Sequence, residues 1–242
     1  KYLKMNKIIE DIGWNVSASV KIMVTKKNFL SDNNFNLSRT KNNYNKVKKN
    51  LNLLSKNYLP SKPIILKQVH GKKIIDLTKD RIISNIGDGL ITKNRNQVLS
   101  ILTADCIPLV ISSICGNLIC ILHVGRKGAE FNIVKAAFKT LKKYNYKYEA
   151  WFGPSISKEH YLVDKEIKND FVSIDSKYEE FFIKIKTSYK MDLIGIVSHQ
   201  LRQNYINNIF YSNLCTYENY RSFFSYRKSL DARRFATFVW RE

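Results

Sequence analysis

Five apolar runs of strand length lie between Ile64 and His123, at residues 64–70, 73–77, 98–103, 108–112 and 118–123, with Gly71, Gly87, Gly89 and Gly116 breaking the series. Short apolar runs bounded by glycine read as strands, and continuous ones as strands covered on both faces. None approaches the roughly 20 apolar residues that cross a bilayer as a helix. Such a chain must gather its strands into sheets and cover them with other elements. Three candidate covers are legible. Tyr44, Val47, Leu51, Leu54 and Tyr58 recur at spacings of three and four, and Pro60 and Pro63 follow them. Phe131, Val134, Phe138 and Leu141 share one face of a helix over 129–143. Leu193, Val197, Leu201 and Tyr205 do the same over 192–206. Further strands are predicted at 20–24, at 148–152 before Gly153-Pro154, and at 234–240. The Asn-, Ser- and Lys-rich stretch 28–45 reads as a surface loop. No repeat or composition break divides the chain. The expected architecture is therefore one α/β (α+β) domain over 1–242.

Hydrophobic residues at 44% and charged residues at 25% fit a globular chain and exclude disorder. The formal net charge of +21 raises the question of a polyanion partner. The lysines are spread along the whole chain, however, and Asn, Ile and Tyr are abundant with them, as AT-rich coding would give. No helix-turn-helix, zinc-finger or RNP pattern accompanies the charge. The expectation is weak nonspecific binding of nucleic acid at low salt and no specific site. Residues 1–10 carry no secretory apolar core. Cys106, Cys115, Cys120 and Cys215 are spaced too irregularly for a disulfide framework. Both point to a cytoplasmic chain with no membrane partner. Cys115, Cys120 and Cys215 read as small buried residues.

Chemistry concentrates at strand ends. His70 precedes Gly71, His123 precedes Val124-Gly125, and Cys106 stands in Thr103-Ala104-Asp105-Cys106-Ile107-Pro108 between two runs. Two imidazoles and a thiolate make a three-ligand set that suits zinc and leaves a fourth position open. The same trio equally allows Cys106 as a nucleophile with His123 as base and His70 as helper; spacing does not separate the two. Asp105 is a candidate for orienting an imidazole, or else a turn carboxylate. His160 and His199 read as surface residues. The block 223–227 is either an edge strand or an aromatic and guanidinium wall for a flat or anionic ligand. No Walker or G-x-G-x-x-G loop is present.

Several of these blocks resemble the bacterial laccase-domain family, also called multicopper polyphenol oxidase or peptidoglycan editing factor, and more recently described as a purine nucleoside phosphorylase family. Gln68-Val69-His70-Gly71 looks like its QVHG block, the 103–108 segment its TADC-x-P block, and His123-Val124-Gly125-Arg126-Lys127-Gly128 its HAGWRG block. Gly153-Pro154-Ser155-Ile156, Cys215-Thr216-Tyr217 and Phe223-Phe224-Ser225-Tyr226-Arg227 resemble its GP-x-I, CTY and FFSYR blocks. The blocks fall in the family's order from about Val20 to Trp240.

The resemblance implies a single-domain mixed β-sandwich with helices packed outside, cysteine-hydrolase-like, and that His70, Cys106 and His123 bind zinc together, copper being the metal of an older oxidase description. It implies phosphorolysis of adenosine, inosine and methylthioadenosine, and deamination of adenosine. One bacterial branch is linked to removing wrongly built peptidoglycan precursors. The chain departs from the pattern at Arg126 and Lys127, which stand for Trp and Arg, at Lys26 in Val24-Thr25-Lys26, and at Gly87-Asp88-Gly89 in place of A-D-A. Lys keeps the charge of Arg and loses its bidentate fork. Lys26, Lys127 and Arg227 are the expected phosphate contacts. A cysteine hydrolase, a polyphenol oxidase and a noncatalytic basic binding protein are the alternatives.

Overall fold

The structure is a computed structural model that describes residues 8–9, 17–29, 34–38, 40, 42–78, 84–230 and 232–242. In chain order its elements are β1 (Ile8–Ile9), β2 (Val20–Thr25), α1 (Tyr44–Asn57), β3 (Ile64–Ile65), β4 (Ile74–Asp76), β5 (Gly89–Thr92), β6 (Leu99–Thr103), β7 (Ile107–Ser113), β8 (Ile119–Val124), α2 (Arg126–Glu130) and α3 (Ile133–Leu141). They continue with β9 (Tyr148–Phe152), β10 (Leu162–Val163), α4 (Lys165–Ile174), β11 (Phe182–Ile185), β12 (Ser188–Met191), α5 (Leu193–Gln203), β13 (Asn208–Tyr211), α6 (Tyr226–Ser229) and β14 (Phe235–Arg241). The strands form a sheet ordered β1-β2-β14-β6-β3, a second ordered β13-β9-β7-β8-β5-β4, and a small one ordered β10-β12-β11.

The period-two alternation of side chains explains how the layers stack. Along β7, Ile107, Leu109 and Ile111 pack with the helices α3 and α5, while Val110 faces the other sheet. β8 follows the same rule, with Cys120 and Leu122 to the helices and Ile119 and Ile121 to the other sheet. β9 sends Tyr148, Ala150 and Phe152 one way and Trp151 the other. The five-stranded sheet answers with Leu99, Ile101, Phe235 and Val239 on its inner face. Its outer face, with Met23, Ala236, Phe238 and Trp240, receives Val47, Leu51 and Leu54 of α1. The result is the expected mixed sandwich: helix, sheet, sheet, helix, with three apolar layers between them.

Several local expectations need correction. The polar stretch 28–45 is not wholly a surface loop, because Phe35 and Leu37 are fully buried against α1, and Asn50 of that helix donates to the Asn36 carbonyl at 3.1 Å. The helix expected over 129–143 is two helices. Asn132 sits between them at φ 53, and its side chain caps α3 by accepting from the Lys135 N–H. Tyr205, assigned to a buried face, is 85% exposed because α5 ends at Gln203. Cys115 is exposed in the β7–β8 turn, whereas Cys120 is buried; all four cysteines are free. The 223–227 block is no edge strand: Phe223 and Phe224 are buried, and Ser225 caps α6 by accepting from the Lys228 N–H. The small sheet and α4 were not anticipated.

The outer layer offers a direct stability test. Removing the fully buried ring in Phe238→Ala should destabilise by about 3–5 kcal/mol in chemical denaturation. Tyr205→Ala at the exposed position should stay within about 0.5 kcal/mol of the parent protein.

Candidate metal centre

Asp88 is fully buried at the entry to β5, and four N–H groups converge on its carboxylate. Val69 donates to both oxygens at 3.2 Å, His70 to Oδ1 at 2.9 Å and Gly71 to Oδ2 at 2.8 Å, all from the backbone. His123 Nδ1 completes the set at 2.8 Å from Oδ1. Three successive backbone N–H groups can converge on one anion when the middle of the turn is left-handed. His70 adopts that conformation, at φ 59. A non-glycine residue there is strained by about 1–3 kcal/mol, and the carboxylate offsets the strain. The same turn is tied on its other side by Gln68, whose amide donates to the Leu102 carbonyl at 2.8 Å and accepts the Leu102 N–H at 2.9 Å. Asp88 also binds His123 through the backbone, since its carbonyl accepts the His123 N–H at 2.7 Å. With Nδ1 committed to Asp88, Nε2 is the ring nitrogen left to a ligand.

Cys106 is positioned from a different direction. Its neighbour Asp105 has φ 88 and is over-determined by its partners. The Asp105 carbonyl accepts the Ile156 N–H at 2.9 Å, one carboxylate oxygen accepts the Thr216 hydroxyl at 2.6 Å, and the other accepts the Arg227 N–H at 2.7 Å. This corrects the expectation that Asp105 orients an imidazole. Its carboxyl points to the C-terminal segment, and the imidazole carboxylate is Asp88. The family-like Gly-Asp-Gly block marked Asp88 in the sequence, but nothing in its spacing revealed a bond to His123, 35 residues away.

The ligand atoms of His70, Cys106 and His123 all lie within 4.8 Å of one another. The two rings meet edge to face with centroids 4.7 Å apart. Gly125 leaves room for this meeting, because a Cβ there would fall 2.9 Å from Cys106 Sγ and 3.2 Å from the His70 ring. His123 is buried, Cys106 half-buried and His70 exposed. Burial works against ionising Cys106, yet the charge and hydrogen bonds of His123, and then of His70, hold its thiol down to about 6. Burial likewise opposes charge on His123, and Cys106 and Asp88 raise it to about 9. Asp88 pays the same burial penalty, but its bonds from His123 and the backbone leave it below the usual carboxylate value. Metal-free, the centre therefore favours thiolate and imidazolium at neutral pH. Two imidazoles, a polarised thiolate and a carboxylate fixing one ring fit zinc or copper.

The trio opens into a cavity of about 820 Å³, a size suited to small molecules. Leu66, Leu102, Ile156 and Leu193 contribute apolar wall, and Lys67, Arg227 and Arg234 contribute cationic groups. Arg227 is held by the Leu162 carbonyl at 3.0 Å and lies 5.1 Å from the Tyr161 ring centre. Lys26 and Lys127 do not line this cavity. Lys127 is exposed on α2, whose buried residues are the adjacent Gly128 and Ala129. Arg126, at the family's Trp position, pairs with Glu130 at 3.2 Å one turn along. The described residues contain no helix long and apolar enough to cross a membrane.

Residues 21–242 match the model of a family described as multi-copper polyphenol oxidoreductase laccase. Purine nucleoside phosphorylase YfiH of Escherichia coli strain K12 is 30% identical over 182 residues, covering 75% of each chain. A purine nucleoside phosphorylase of Haemophilus influenzae is 30% identical over 245 residues, covering 95% of this chain and 97% of its own. The crystal structure of Neisseria meningitidis protein NMB0706 has the same fold at a TM-score of 0.85 and 20% identity, covering 98% of this chain and 100% of its own. That of Bacillus licheniformis hypothetical protein YfiH gives 0.84 at 22% identity, covering 100% and 98%.

Replacing the carboxylate that fixes His123 and the 69–71 turn should weaken metal binding without removing a ligand. Asp88→Asn is expected to lose about 10–100-fold in metal affinity, read by competition with a chromophoric chelator. The folded Asp88 carboxyl titrates below its ordinary value, so the stability it adds is present above about pH 4 and is lost as pH falls through the depressed value. Melting curves of the metal-free proteins should therefore differ most above pH 4 and converge below it.

Proposed function

Since the chain belongs to the multi-copper polyphenol oxidoreductase laccase family, we propose that it is a zinc-dependent purine nucleoside enzyme that carries out phosphorolysis of adenosine, inosine and methylthioadenosine, and deamination of adenosine. The observation that carries this reading is the His70, Cys106 and His123 trio at a cavity with apolar wall and guanidinium groups. Zinc bound there would supply Lewis-acid polarisation of an oxygen function.

The chain's own groups divide the remaining work. Phosphorolysis breaks the bond between the base and C1′ of the ribose and joins a phosphate oxygen to that carbon, and the departing base takes up the proton that the attacking hydrogen phosphate gives up. The apolar wall binds the base and excludes water. Arg227 and Arg234 draw phosphate in and offset its charge. Of the three expected anion contacts, Lys26, Lys127 and Arg227, it is Arg227 that lines the cavity, its guanidinium braced by Leu162 and Tyr161. Tyr161 also lines the cavity; burial, with Cys106 nearby, pushes its hydroxyl up to about 12, so it remains a neutral hydrogen-bond donor. Asp88 keeps the His123 Nδ1 proton in place throughout.

The depressed thiol of Cys106 favours one second reading, a cysteine hydrolase with His123 as the proton carrier. The two readings separate on one variant. Cys106→Ala should lose the metal held with His70 and His123 together with activity if the purine reading holds, and should lose activity while keeping that metal if Cys106 is a nucleophile. The parent assay follows adenosine with and without phosphate and measures hypoxanthine, inosine and adenine separately. No product from any of the three nucleosides would overturn the purine reading.

The cationic wall gives a quantitative test. A charge-assisted contact is worth about 1.5–3 kcal/mol, so Arg227→Ala should lower kcat/KM for phosphate about ten- to a hundredfold. Lys127→Ala should leave it unchanged.

A further inference from the structure

His160 and Cys215, which the centre above does not use, come together with Glu218 where two loops run side by side. The first loop follows β9 and ends in a short 3-10 turn at Lys158–His160; the second leads from β13 toward α6. They are zipped in register by a bridge between Ser155 and Cys215. The Ser155 N–H donates to the Leu214 carbonyl at 3.2 Å, and the Thr216 N–H to the Ser155 carbonyl at 3.0 Å. This pairing carries three side chains of different character into one spot. Cys215 is buried, His160 half-buried and Glu218 exposed, and their donor atoms all lie within 4.8 Å of one another. His160 Nε2 is already 2.9 Å from Glu218 Oε1. The His160 ring is held flat against Tyr217, at 14° with centroids 4.3 Å apart. The Ser157 N–H donates to Cys215 Sγ at 3.4 Å.

We propose that His160, Cys215 and Glu218 form a second divalent transition-metal site that pins these two loops together. One nitrogen, one sulfur and one oxygen donor suit a borderline ion such as zinc or cobalt, and the exposed side at Glu218 leaves a fourth position to water. On binding, the thiol proton of Cys215 leaves to solvent, and the imidazole hydrogen moves from Nε2 to Nδ1, so the site carries a dication on a thiolate, a carboxylate and a neutral ring. The role is structural. Thr216, between two of the ligands, donates to Asp105 beside Cys106, so the ion fastens the segment that positions the first centre's thiol. The site stands on its own donors and does not depend on the reaction proposed above.

Cobalt titration of the metal-free, reduced full-length chain tests it, because a cobalt–thiolate bond has its own charge-transfer absorption. The protein should take up two equivalents of Co²⁺, and His160→Ala, at a half-buried position, should take up one. Cys106→Ala should keep one equivalent with thiolate absorption from Cys215, and Cys106→Ala combined with His160→Ala should lose that absorption. A protein that binds one equivalent before and after His160→Ala overturns the proposal. So does a folded Cys106→Ala protein that shows no thiolate absorption at excess cobalt.

Discussion

The Asp88 carboxylate is the constraint on which the first centre depends. It is fully buried, yet it stays ionised because three backbone N–H groups and an imidazole surround it. Those bonds do three jobs at once. They hold the left-handed turn that presents His70, they set the tautomer of His123, and they join a loop to two strands of the six-stranded sheet. A buried charge with good partners is weak evidence for stability on its own, since desolvation consumes most of the gain. Its value here is conformational: removing it would leave the His123 ring and three backbone N–H groups without their acceptor, and two candidate ligands without a common reference.

The three candidate ligands were legible because His70 and His123 end apolar runs just before a glycine and Cys106 lies between two such runs, local patterns that one sequence carries. The α/β character was legible for a similar reason, as the apolar runs of β7 and β8 and the periodicity of α1 and α5 are properties of short segments. What stayed hidden was non-local. Asp88 meets His123 only after β5 pairs with β8. Asp105 looked like the imidazole partner through its adjacency to Cys106, but its φ of 88 turns the side chain toward Thr216 and the start of α6. Lys127 seemed a phosphate contact from its block, and the burial of Gly128 and Ala129 turns α2 so that the lysine faces solvent. The break at Asn132 rests on one residue at φ 53, which the helical spacing on either side conceals. His160 and Cys215 showed no shared pattern at all, since a pairing of two loops brings them together.

The two clusters also differ in how the backbone prepares them. The first draws on strained residues, His70 and Asp105, each held by several hydrogen bonds. The second sits on loops paired almost like strands, with one ring oriented by stacking. Strain held in place by surrounding bonds is typical of functional geometry, and none of His160, Cys215 and Glu218 has a left-handed backbone. That contrast is in keeping with a reactive role for the trio and a fastening role for the other group.

The unequal access of His70, Cys106 and His123 has a kinetic consequence. His123 is 3% exposed and rigidly backed, whereas His70 faces solvent from a turn at the rim. An ion shared by such donors would exchange stepwise, with His70 the first to let go and the last to attach. Loss of the ion would then proceed by associative displacement at the vacated corner, at a rate that rises with the concentration of the competing chelator. An ion enclosed by three equally buried donors would instead leave at a rate set by the protein's own opening.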